Sequence, residues 1–160
     1  VIEHFQGQME KVIYLMALMP LIMSSGGNSG SQASTLVIQA MAMGEVNISD
    51  WWRVMKREIL SGLFLGLILG ALGFLRIAGM QVFLDSYGEY WILVALVVSI
   101  SLVGVVLWGS LTGSMLPFLL RRLGADPASS SAPFVSTLVD VTGLIIYFTV
   151  ATLILRGILL

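Results

Sequence analysis

Asp140 is a carboxylate set in apolar sequence, the one interruption of an otherwise charge-free run from Pro127 to Leu155. At helical spacing its neighbours are Ser136 and Thr137 before it and Gly143 and Tyr147 after it, while the rest is mostly Val, Leu, Ile and Phe. A second stretch, "PLIMSSGGNSGSQASTLVIQA" from Pro20 to Ala40, places three glycines, an asparagine, a glutamine and five serines between Met23 and Thr35, inside a run without charge from Val12 to Gly44. Together the two stretches offer hard oxygen donors only. That set suits magnesium, calcium, manganese or an alkali ion and not copper or zinc. With no cysteine in the chain, thiolate sites and disulfides are excluded.

Asp140 lies seven residues past Pro133, about 10 Å along a helix. A carboxylate at membrane depth is costly unless it faces water, a partner charge or a cation, so an ion pathway is expected there. The alternative is that Asp140 caps a helix after a break, which would leave Val141–Leu155 short for a span. In the glycine-rich stretch Gly26, Gly27 and Gly30 permit a broken helix, with Asn28 and Gln32 holding the loosened turn by hydrogen bonds. Freed carbonyls there would add oxygen ligands beside Asp140. A nucleotide loop is excluded, because the Gly-x-Gly-x-x-Gly spacing, a following Lys-Ser/Thr and a preceding strand are all missing. One acid per chain is little for a divalent ion. Two chains on a twofold axis would supply two.

These residues need a membrane around them. Of the 160 residues 58% are hydrophobic and only 11% charged, against roughly 25% charged in soluble domains. The mean hydropathy is +0.98. Charge-free runs cover Val12–Gly44, Ile59–Leu75, Tyr90–Leu120 and, Asp140 aside, Pro127–Leu155. A span needs ~20 apolar residues in a helix, and the strand alternation of a barrel is missing. The expected fold is all-α, a polytopic helical membrane protein. Spans are expected near 10–44, 52–77, 89–121 and 133–157, the first broken at its glycines, with the end of a preceding helix at about 1–8. Arg53, Lys56 and Arg57 after the first span, and Arg121 and Arg122 after the third, put those loops in the cytoplasm. The loop between spans two and three mixes Arg76 with Asp85 and Glu89. Trp51 and Trp52 inside, and Tyr87, Tyr90 and Trp91 outside, fit interfacial belts. Gly62, Gly66, Gly70 and Gly73 form a small-residue stripe for helix packing, and Gly104, Gly109 and Gly113 suit the same use. Gly124 suits a helix C-terminus, and Asp126-Pro127 the start of a short helix. A net charge of −1 and no basic patch argue against nucleic acid as partner.

"PLIMSSGGNSGSQAS" and "RRLGADPASSSAPFVSTLVDVTGLIIYF" together resemble the membrane domain of the MgtE family of magnesium channels, related to eukaryotic solute-carrier magnesium transporters. The resemblance runs from about Gly7 to the end. It implies a homodimer of five-helix subunits in the cell membrane, with the pore on the twofold axis between the second and fifth helices. The four spans here would then be helices two to five. The resemblance places the pore aspartate at Asp140 and ligand carbonyls near Ser24, Gly27 and Ser136. Ser24 stands where that motif often has glycine, and Ala132 where some members have asparagine. Family members also carry a soluble N-terminal domain and paired CBS domains, and neither is in this chain. The expected function is a magnesium-selective channel that passes hydrated Mg2+ into the cytoplasm down the membrane potential. An ion-coupled (Na+ or H+) carrier is the alternative, and would need a second ion site. Enzymatic activity is not expected, since an intramembrane aspartyl protease needs two aspartates and only one is buried here. A scaffold subunit would account for the glycine stripes but not for Asp140.

Overall fold

The computed structural model of the protein describes residues 2–84, 87–129 and 132–155, with side chains described from Ile13 onward. Its helices are α1 (Ile2–Ala42), α2 (Trp51–Leu84), α3 (Trp91–Arg122) and α4 (Ala132–Leu155). Short 3-10 turns at Ile48–Asp50, Gly88–Tyr90 and Pro127–Ser129 precede the last three, and no strand occurs among the described residues. Asp85 and the end of the expected last span, beyond Leu155, lie outside the described residues.

Helix ends follow local chemistry. α1 and α3 both stop at a glycine in the left-handed region, Gly44 at φ 75° and Gly124 at φ 79°. In each, the next N–H reaches back five residues, from Glu45 to the Ala40 carbonyl at 3.0 Å and from Ala125 to the Leu120 carbonyl at 2.9 Å. Terminal carbonyls are thereby satisfied without a side chain. The Asp126-Pro127 turn is as expected: Asp126 Oδ1 accepts the Ala128 N–H at 2.9 Å.

Three segments, Ile48–Leu84, Gly88–Arg122 and Ala132–Leu155, are long and apolar enough to cross a bilayer. α1 has 41 residues, but serines and amides dilute its apolar run. Two expectations for α1 are corrected. The helix runs unbroken through Gly26, Gly27 and Gly30, and no boundary near residue 9 separates an earlier helix from it. A glycine inside a helix costs only about 1 kcal/mol relative to alanine, so close packing can offset it. Between residues 2 and 12, Gly7 is the only glycine and there is no proline.

That packing is visible in α3, which touches every other helix and is the most buried of them. On one side it meets the glycine stripe of α2. A methyl group at Gly66 would lie 3.0 Å from Val103 Cα, and one at Gly70 would lie 2.9 Å from the Ser99 carbonyl oxygen. On another side the Gly26 and Gly30 carbonyls of α1 press on Gly109 and Gly113, leaving no room for a Cβ at either. Glycines four apart on one helix thus meet glycines four apart on the other, a small-residue crossing that brings backbones together. α4 closes the group, with Gly143 against Val105 and Gly104 against Ile146.

Candidate functional site

Asp140 stands eight residues after Ala132 in an unbroken α4, ~12 Å along the helix axis. It caps nothing, and the capping alternative is corrected. α4 runs antiparallel to α1, pinned near both ends. The Tyr147 hydroxyl donates to the Leu15 carbonyl at 2.8 Å, and the Ser31 hydroxyl donates to the Ala132 carbonyl at 3.0 Å. Between these pins Gly27 faces Ser136 and Asp140. A Cβ on Gly27 would sit 2.7 Å from Ser136 Oγ and 2.9 Å from Asp140 Oδ1. The sequence expectation that the glycine motif lies beside Asp140 therefore agrees with this geometry. Its reason is different: the missing side chain makes room for the carboxylate.

Ser136 and Asp140 are half-buried, and neither is bonded or ion-paired by another side chain among the described residues. The remaining candidates divide into two groups. Gly26, Gly30 and Gly143 are buried against α3 and support the motif from behind. Ser24, Asn28 and Gln32 are exposed at four-residue spacing, and Thr35 continues the stripe. Asn28 Nδ2 donates to Ser24 Oγ at 3.3 Å, within the regular helix; there is no loosened turn for the amides to hold. Thr137 is exposed on α4 and gives its hydrogen to the Pro133 carbonyl at 2.9 Å. The carbonyls of Ser24 and Gly27 belong to a continuous helix, so the expectation of freed backbone ligands fails with the break. A helical carbonyl keeps one lone pair that a water molecule can use.

Ser31 and Thr35 were not singled out from sequence, yet with Gln32 and Leu36 they line a shallow open cavity of about 420 Å³ beside the site. Their signal was spacing: Ser31 and Thr35 follow Asn28 at three and seven residues, one helical face. Tyr147 was noted as a neighbour of Asp140, but its bond to α1 has no local trace. Among the described residues no three His, Cys, Asp or Glu side chains gather. One chain thus offers a cation one carboxylate, a serine hydroxyl and a polar stripe, enough to order water but not to chelate a metal.

Comparison with known proteins agrees with this chemistry. The profile of the MgtE family, described as a divalent cation transporter, matches residues 19–150. The chain is 43% identical over 158 residues, 99% of its length, to a protein of Thermus thermophilus named magnesium transporter MgtE, of which it covers 33%. It is 30% identical over 152 residues, 95% of its length, to the Bacillus subtilis protein of the same name, of which it covers 32%. A third, from Enterococcus faecalis, is 28% identical over 155 residues, 97% of this chain and 32% of that protein. The chain spans about a third of the length of these relatives.

Proposed function

The chain belongs to the MgtE family of multi-pass membrane transport proteins, and on that premise we propose that it conducts magnesium through a pore formed by two copies. The observation that carries this reading is the exposed polar stripe of α1, Ser24, Asn28, Gln32 and Thr35, beside the unpartnered Asp140 carboxylate of α4. At membrane depth such a surface cannot face lipid without large cost and must line water or meet a partner. Two copies facing each other through it, related by a twofold axis, enclose a polar path with one Asp140 from each side. The relatives named as magnesium transporters support the choice of ion.

Magnesium keeps an octahedral water shell at ~2.1 Å and sheds it reluctantly. Two carboxylates and the Ser136 hydroxyls accept hydrogen bonds from that shell without stripping it. The width set by Gly27 then selects for the size of the hydrated ion, and outer-sphere contact lets the ion leave. Gly27 acts by what it leaves open, and Ser24, Asn28, Gln32 and Thr137 line the path. The membrane potential drives the flux.

The test is magnesium flux into liposomes that contain only this protein, at clamped potential. Asp140→Ala, as folded dimer, is expected to lose flux by about ten- to a hundredfold, the worth of a charged hydrogen bond. Asp140→Asn keeps part of it through its oxygen. Normal flux from the alanine variant removes Asp140 from the path, and flux that demands a sodium or proton gradient makes the protein a coupled carrier.

A further inference from the structure

The inner end of the α2–α3 pair holds a pocket of different chemistry, remote from the α1–α4 groove. Ile48, Trp51, Met55, Phe118, Leu119 and Arg122 border a cavity of about 240 Å³, completed by Met115. All but one of these side chains are apolar. The exception is the Arg122 guanidinium at the mouth, which has no acidic partner among the described residues. Asp50, a carboxylate on the same end, is engaged elsewhere: Arg53 lies 3.2 Å from it, and it accepts the Asn47 N–H at 2.9 Å. Lys56 adds a further positive charge one turn along, its ammonium 5.1 Å from the Trp52 ring centre. Trp51 and Trp52 are half exposed, at the level where indoles meet headgroups.

We propose that this pocket binds one anionic phospholipid of the cytoplasmic leaflet, with the phosphate on Arg122 and an acyl chain lying along Met55, Met115 and Leu119. Both flanking helices are long and apolar enough to cross a bilayer, and the pocket lies at one end of each, where headgroups would meet them. An apolar cleft ending in an unneutralised guanidinium complements a chain that ends in a phosphate. The excess of positive charge around it selects a net anionic headgroup over a zwitterionic one, whose own cation is repelled. Arg122, read from sequence only as a marker of sidedness, thereby acquires a ligand.

Native mass spectrometry of the detergent-purified dimer tests this, with phosphatidylglycerol and phosphatidylcholine of identical chains as probes. The expected result is one retained phosphatidylglycerol per chain at concentrations where phosphatidylcholine is lost. Arg122→Gln is expected to lower that preference roughly fivefold, the worth of one basic residue at a membrane surface. Leu119→Trp, which fills the cleft from an exposed position, is expected to lower retention of both lipids while leaving the melting temperature unchanged. Millimolar inorganic phosphate is expected not to displace the lipid. Three results overturn the proposal: unchanged preference in Arg122→Gln, displacement by inorganic phosphate, or a changed oligomeric state without lipid loss. The last would make the cleft a contact between copies of the chain.

Discussion

At Gly27 an added methyl group would meet only the ends of two side chains, Ser136 Oγ and Asp140 Oδ1, which can turn away into the open groove. Gly27→Ala is therefore expected to change stability by no more than about 1 kcal/mol, since the helix propensity gained by alanine offsets the displacement of two flexible side chains. It should still cut magnesium flux at least tenfold, because the carboxylate must leave its place. A thermal melt beside a liposome flux assay separates the two effects, and unchanged flux would detach Gly27 from the path. Tyr147→Phe has the opposite signature. It removes one buried hydrogen bond, worth about 1 kcal/mol, and should lower the melting temperature while ion selectivity stays the same. Asp140 was legible from sequence because a charge in an apolar run needs an external reason. The purpose of Gly27 was not, because it depends on a side chain 113 positions away, the difference between 140 and 27.

Helices α1 and α3 show how one glycine pattern supports two readings. Gly26 and Gly30 were expected to break a helix. They lie four apart, as do Gly109 and Gly113, and only the pairing of these two sets shows that they serve close approach. That pairing is non-local, so α1 alone could not reveal it. The stripe on α2 was read correctly because four regularly spaced glycines leave packing as the economical explanation. Gly109→Ala and Gly113→Ala each push a methyl group onto a backbone carbonyl of α1, which has no rotamer to yield. Each is expected to destabilise the fold by about 1–3 kcal/mol, the usual cost of overpacking. Gly79→Ala, with open space around a helical glycine, should be neutral or stabilising by up to about 1 kcal/mol. Thermal unfolding in one detergent ranks all three, and an unaffected Gly113→Ala would contradict the tight crossing.

For the assembled molecule, counting acids in the sequence suggested two copies, whereas the face proposed for their contact could not be read there. Sequence shows that Gln32 and Thr35 are polar, but only the packed bundle shows that α3 and α4 leave them uncovered. Mixing wild-type with Asp140→Ala chains before reconstitution tests the twofold pore. If both carboxylates are required, an equal mixture retains about a quarter of the flux, and if each chain conducts alone, about half. Bound magnesium should also hold the dimer together. At an ion concentration a hundredfold above Kd the gain is about 2.7 kcal/mol, so chelation should lower the melting temperature of the wild-type dimer but not of Asp140→Ala.

The crossing of α1 and α3 also has a mechanical consequence. Backbone seated on backbone, as the Gly26 and Gly30 carbonyls are on Gly109 and Gly113, has no side chains through which to slide or tilt. The two helices, with α2 docked along the other side of α3, should travel as one rigid beam. α4 is tied to that beam by side-chain hydrogen bonds of Tyr147 and Ser31 to α1 and of Trp108 in α3 to Thr142, and at its glycines by side-chain contacts. The α1–α4 groove, which borders the proposed path, is thus joined through side chains where the α1–α3 crossing is joined through backbone, and a covalent staple across α1 and α4 should stall conduction where one across α1 and α3 leaves it running.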